Sequence, residues 1–275
     1  MNIRMICMDL DGTALQKDRK TFSPRLIAAL EQAHERGIAI APVTGRQYGL
    51  LPPAVMGHPV WENLVVTCNG GQVRKLATGA VLYRLDIPRT VLPRLLELAA
   101  EYDLPIEFSV DSRLHLTQHS LELQKSDPGL AFHLETILPA CGQVVDSLES
   151  ICALTVEKVN LLCIPDDRRR EEIENRLSQM DISAVYASHN SLEITHRDAN
   201  KGNGLRQLCR LLDIPMECVM ALGDSGNDES MLRLAGLGVA MGNGPERIKA
   251  VSDAVTETYE NDGAAAAIER YALKM

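Results

Sequence analysis

Hydrophobic residues in this chain alternate between short unbroken runs and stretches where they recur every third or fourth position. Residues 4–8 read as a buried strand that stops at Asp9. Ser23-Pro24 is a helix start, a capping hydroxyl followed by proline. Leu26, Ile27, Leu30 and Ala33 then keep to one helix face until Gly37 ends the run. Residues 38–43 form the next apolar strand, 46–56 a helix broken by Pro52-Pro53, and 64–68 a third strand. Asn69-Gly70-Gly71 is a turn signal that leads to a hairpin partner over 72–75. From 191 onward the pattern returns. It predicts a strand over 191–195, a helix over 201–212 with Leu205, Leu208, Leu211 and Leu212 inward, and a strand over 218–222. A helix over 229–234, a strand over 238–241 and an alanine-rich helix near 263–273 complete it. Strands alternating with helices predict an α/β fold around a parallel, three-layered sheet.

Residues 86–190 have another texture. A helix is expected over 88–100, strands over 106–110 and 114–117, then a polar, His-bearing section. A strand over 158–164, a charged amphipathic helix over 168–180 and a strand over 184–187 follow. The expected organisation is one discontinuous core, residues 1–85 and 191–275, with an α+β domain inserted at 86–190. No repeat or low-complexity tract interrupts it.

Composition removes whole classes of function. At 275 residues the chain can bury a full core without staples. Aromatics are only 4% and the formal net charge is −9, which speaks against nucleic-acid binding. An anionic substrate therefore needs a few local cations to oppose the global field. The seven cysteines form no Cys-x-x-Cys pair, and Cys7, Cys163 and Cys218 sit in apolar runs, so reduced thiols are expected. No stretch reaches the roughly 18 apolar residues of a membrane span, and Asp9 interrupts the first apolar run, unlike a signal peptide. A cytoplasmic protein is expected, with no nucleic-acid or membrane partner; its oligomeric state is not legible.

Candidate chemistry collects in four short segments, each at or just past the end of an expected core strand, where open α/β sheets bind ligands. Asp9-Leu10-Asp11-Gly12-Thr13 comes first. Such a segment can be a plain turn, but two carboxylates this close at the end of a buried strand are costly unless a cation offsets them. Hard oxygen ligands suit Mg²⁺. Thr44-Gly45-Arg46 is weak alone, because hydroxyls and glycines often cap helices. Arg46 is open between substrate contact and a solvated or paired side chain. Lys201-Gly202 starts a helix, where a lysine opposes the macrodipole unless an anion sits there. Gly223-Asp224-Ser225-Gly226-Asn227-Asp228 carries more carboxylate and amide groups than a turn needs.

Together and in this order, the four segments resemble the motifs of the haloacid dehalogenase superfamily, in the Cof-like branch with a type IIB cap. Asn69-Gly70-Gly71 and the Leu192-Glu193-Ile194 approach to Lys201 are similar to that branch as well. The His196-Arg197-Asp198-Ala199-Asn200 stretch departs from the small residues usual before the lysine. The resemblance implies a Rossmann-like core and a Mg²⁺-dependent phosphatase of a small phosphorylated metabolite: sugar phosphate, nucleotide, flavin mononucleotide or pyridoxal phosphate. It implies Asp9 as nucleophile and Asp11 as general acid and base. Mg²⁺ would be held by Asp9, the Asp11 carbonyl and Asp224. The Leu10 and Gly45 N–H groups and the Thr44 hydroxyl would grip phosphate. Lys201 would stabilise the transition state, Asn227 would contact the phosphate or its neighbour, and Asp228 would support the metal or Lys201. In the family the cap closes over the site and selects the substrate. Asp111, Arg113, His115, His119 and His133 of the middle section are expected at solvated loop positions, since their spacing fits no zinc template. A phosphomutase using the same phosphoenzyme is the alternative, and a non-catalytic phosphometabolite-binding module is a third.

Overall fold

The computed structural model describes residues 2–188 and 190–275, without the side chains of 187 and 188. In chain order the strands are β1 (Met5–Met8), β2 (Ala39–Pro42), β3 (Leu64–Thr67), β4 (Gln72–Lys75), β5 (Val81–Arg84), β6 (Ile106–Val110), β7 (Arg113–Thr117), β8 (Gly142–Val145), β9 (Lys158–Leu161), β10 (Ile182–Ser188), β11 (Ser191–His196), β12 (Val219–Gly223), β13 (Leu237–Ala240) and β14 (Ala254–Val255). The chain divides into two compact units. One comprises Met1–Arg46, Leu51–Arg84 and Asn200–Met275; the other comprises Gln47–Leu50 and Leu85–Ala199.

The first unit holds a five-stranded sheet in the order β14-β13-β12-β1-β2, parallel throughout. All four residues of β1 are fully buried, as a central parallel strand covered on both faces must be. Met5 and Cys7 pack with Leu205 and Leu208 of the helix Lys201–Leu212, and with Val219 and Ala221 of β12. Burying each Met, Leu or Val among them stabilises the fold by ~1.5–3 kcal/mol. Leu211, expected on the inner face of that helix, is instead exposed. The helix Pro24–Glu35 starts where the sequence places it, with the Ser23 hydroxyl accepting the Leu26 N–H. The 64–75 hairpin forms with Thr67 opposite Gln72. It belongs to a separate antiparallel sheet, β3-β4-β5, joined to the end of β2 by the parallel Val43–Val66 bridge.

The second unit is built on a six-stranded sheet in the order β10-β11-β9-β6-β7-β8. One face carries Ile106, Phe108, Val110, Val159, Leu161, Leu192 and Ile194, which pack with Leu92, Leu95, Ile173 and Leu177 of two helices. This corrects the boundary expected at 190/191. The strand beginning at Ser191 pairs antiparallel with β10 and β9, so its alternate residues Leu192 and Ile194 enter this core. The first unit resumes only at Asn200. The expected helix over 46–56 is also corrected. Gln47–Leu50 leaves for the second unit, with a 3₁₀ turn over Tyr48–Leu50, and the α-helix is confined to Pro53–Met56, starting at the second of the paired prolines.

Two of the histidines expected in solvated loops are elsewhere. His115 is buried in β7, and His133 is partly buried with Nε2 2.7 Å from Glu107 Oε1. His119 is exposed beside Asp103. Among the described residues, no helix is long and apolar enough to cross a membrane.

Candidate active site

β1 delivers Asp9 to the carboxyl end of the parallel sheet, where the Asp9 N–H donates to the Leu222 carbonyl at 3.0 Å. The chain then makes a wide turn over Leu10–Ala14, closed by the Leu15 N–H on the Leu10 carbonyl. Gly12 has φ +78°, and a Cβ there would stand 2.6 Å from Asp224 Oδ2. Only glycine accepts both the left-handed backbone and the close approach. Thr13 Oγ1 donates to Asp224 Oδ1 at 2.9 Å, and Asn243 Nδ2 donates to the Gly12 carbonyl. Two segments more than two hundred residues apart in sequence are thus held face to face.

Lys201 opens its helix one residue after the Asn200 N-cap, whose side chain accepts the Asn203 N–H. It is completely buried, with Nζ 2.6 Å from Asp9 Oδ1 and 2.6 Å from Asp228 Oδ1. The second oxygen of Asp228 accepts the Asp224 and Ser225 N–H groups, each at 2.9 Å. Both Asp228 oxygens are therefore committed to donors of the chain itself. Asp9 and Asp224 differ: each keeps Oδ2 without a hydrogen-bond donor among the described residues.

Electrostatics reinforce that difference. Burial raises the Asp9 carboxyl well above the usual range, Lys201 offsets this only in part, and Asp228 and Asp224 push it further up. Asp224 is raised to about 6, mainly by burial and then by Asp228. Burial pulls Lys201 down, but Asp228 and Asp9 outweigh it and keep the ammonium charged above its ordinary value. A buried cluster with more carboxylate than cation is one that a divalent ion would relieve. Oxygens of Asp9, Asp224 and Asp228 lie within 4.8 Å of one another. The all-oxygen donor set fits a hard cation such as Mg²⁺, with Asp9 and Asp224 supplying the uncommitted atoms.

Thr44 follows β2 and is buried. Its N–H donates to Val66, and its Oγ1 accepts the Arg46 N–H at 3.1 Å. Gly45 is partly buried between them, and Leu10 is fully buried. Arg46 is a paired side chain: Nε and Nη2 grip Asp11 Oδ2 and Oδ1 at 2.7 and 2.6 Å, and Nη2 also reaches the Arg19 carbonyl. Asn227 donates from Nδ2 to Asn69 Oδ1 at 3.0 Å and accepts from Ser225 Oγ at 2.6 Å. The structure thus unites Asp9, Lys201, Asp228 and Asp224 in one group, while Asp11 and Asn227 bond to other partners. Sequence reasoning missed Thr13, Ser225 and Asn243. It took Asn69 only as a turn, although a polar residue at the end of a core strand was a signal worth following.

A family model described as haloacid dehalogenase-like hydrolase matches residues 6–268. The chain belongs to that family. Among relatives of this hydrolase, the phosphatase YwpJ of Bacillus subtilis is 28% identical over 300 residues, covering 96% of this chain and 98% of that one. The pyridoxal phosphate phosphatase YbhA of Escherichia coli is 28% identical over 282 residues, covering 96% and 97%. A solved structure of a HAD subclass IIB sugar phosphatase shares the fold, with TM-score 0.83, 23% identity and coverage of 98% and 99%. The enzyme class expected of this hydrolase, phosphoric monoester hydrolase, agrees with its named relatives.

Proposed function

We propose that this hydrolase is a Mg²⁺-dependent phosphatase of small phosphorylated metabolites that works through an aspartyl-phosphate on Asp9. The observation that carries the proposal is the pairing of Asp9 Oδ1 with buried Lys201 while Oδ2 stays uncommitted. One oxygen orients the carboxylate and the other is free to attack. In the first half-reaction Asp9 forms a bond to phosphorus, the ester P–O bond breaks, and Asp11 gives a proton to the leaving oxygen. In the second, Asp11 takes a proton from the water that attacks the aspartyl-phosphate, and inorganic phosphate departs. To do this, Asp11 must free an oxygen from Arg46. Lys201 opposes charge growing on the transferring group. The Leu10 and Gly45 N–H groups, the Thr44 hydroxyl and Asn227 hold the remaining phosphate oxygens, and Asp228 keeps Lys201 in place. Asp9, the Asp11 carbonyl and Asp224 would hold Mg²⁺, which when bound screens the repulsion between carboxylate and phosphate.

The substrate class draws support from YbhA, named for pyridoxal phosphate; sugar phosphates, nucleotides and flavin mononucleotide fit the same chemistry. The test is to quench turnover of p-nitrophenyl phosphate with Mg²⁺ in acid and map the peptide containing Asp9 by mass spectrometry. A phosphoryl adduct on Asp9, lost in EDTA, is expected. Turnover without any adduct there would overturn the mechanism.

A further inference from the structure

The turn after β3 is the most unusual backbone near the site. Cys68, Asn69 and Gly70 have φ of +51°, +53° and +93° in succession. Only the glycine adopts such angles without penalty, and a left-handed non-glycine residue costs of order 1–3 kcal/mol. All three residues are buried. A strained, buried turn persists only when its surroundings over-determine it, and here the surroundings are the segments that carry the chemistry. The Cys68 N–H donates to the Arg46 carbonyl at 3.0 Å and the Asn69 N–H to the Thr44 carbonyl at 3.2 Å. Gly70 lies so close to the start of the Lys201 helix that a Cβ would stand 1.9 Å from the Asn200 carbonyl oxygen. Asn69 Oδ1 accepts the Asn227 amide at 3.0 Å.

One turn therefore touches the loops that carry Thr44, Lys201 and Asn227. Its side-chain contribution is specific. Asn227 is held at both ends of its amide, Oδ1 by the Ser225 hydroxyl and Nδ2 by Asn69. An amide nitrogen has two hydrogens, so one remains for a ligand, and its direction is set by where the other is bound. We propose that Asn69 is a positioning residue for the phosphate site, acting through Asn227 and not by touching the phosphorus itself. The proposal rests on the phosphatase activity above and adds to it a residue whose role is to aim the fourth motif's amide.

Asn69→Gly is the informative variant, because glycine accepts the left-handed turn without strain and removes only the side chain. Asn69→Gly, Asn227→Ala and the double variant are compared by p-nitrophenyl phosphate hydrolysis with Mg²⁺, by calorimetric binding of inorganic phosphate, and by thermal unfolding. The expected result is a loss of about tenfold in kcat/KM and in phosphate affinity for Asn69→Gly, the scale of one hydrogen bond. The melting temperature should not follow that loss, and the double variant should be no worse than Asn227→Ala alone. Parent-like kinetics in Asn69→Gly, losses that multiply in the double variant, or a loss explained by a lower melting temperature would each overturn it. A parent enzyme that neither hydrolyses nor binds phosphate would remove the phosphatase reading and this proposal with it; an active parent with an unaffected Asn69→Gly removes the proposal alone.

Discussion

Both units bury a carboxylate against a cationic or ionisable partner, yet the two carboxylates end in opposite conditions. Glu107 of the second unit is completely buried, and burial pushes its carboxyl up. His133 Nε2 at 2.7 Å, Asn160 Nδ2 at 2.9 Å and Gln124 Nε2 at 3.0 Å more than reverse that push, so it lies below its usual value. Asp9 of the first unit is nearly as buried, but it has one cation, a free oxygen and two neighbouring carboxylates, and it lies above its usual value. A carboxylate with donors on both oxygens is structural, because neither oxygen is left free to react. One left partly unanswered holds unfavourable energy that a cation or phosphoryl group can release. The number of donors converging on the oxygens separates the two cases better than burial does.

The largest break in that comparison is Asp9→Asn. It keeps the shape and removes the nucleophile, so turnover should fall by about 10⁴-fold or more with the fold retained by circular dichroism. Residual turnover near the parent rate would make Asp9 a structural acid like Glu107. Lys201→Met comes next. It strands Asp9 and Asp228 as buried charges without their cation, and losing one partner of a buried pair costs ~3–5 kcal/mol. Denaturant unfolding in EDTA should show that loss, together with collapse of activity.

Glu107→Gln tests the other side. Its new amide nitrogen would replace one oxygen and face the donor or donors that oxygen accepted, and an unsatisfied buried polar group costs ~1–3 kcal/mol. The sign with pH follows from the lowered carboxyl. Its stabilisation is complete above the ordinary value of 4.5 and fades as pH falls through the folded value. Unfolding of the parent should therefore become easier on going from pH 7 towards pH 3, and the variant should lose part of that slope. An unchanged acid slope would mean that Glu107 does not bear the charge assigned to it. The smallest effect is expected of Arg46→Lys. The pair with Asp11 is half-open, with side chains 16% and 38% exposed, so its stability change should stay under ~1 kcal/mol. Loss of the two-pronged grip leaves an Asp11 oxygen easier to free, so turnover of poor leaving groups should rise relative to good ones; an equal effect on both would detach Arg46 from the acid step.

Legibility followed the range of the interactions. The helix start at Ser23, the hairpin turn at Asn69-Gly70 and the strands over 4–8 and 218–222 are visible in local spacing, because capping, turn chemistry and apolar runs act over a few residues. The five-stranded order could be expected in kind, but β14 is only two residues long and leaves no periodic signal. The apolar alternation of 191–195 was visible as a strand, yet nothing in it says which sheet it will join. The histidines show the same limit, since His133 could not be matched to Glu107 across 26 residues of sequence.

The amino-acid order alone thus determined most of the core's elements, the four chemical segments and the placement of three of them, at Asp9, Thr44 and Asp224, after strands of the parallel sheet, since each is set by neighbours along the chain. Tertiary structure decided the pairings: Ser191–His196 into the second sheet, Arg46 onto Asp11, both oxygens of Asp228 onto chain donors, and Asn69 onto Asn227. Those depend on which distant groups share a few ångströms of buried space, where unmet hydrogen bonds are costly, and spacing along the chain does not carry that information.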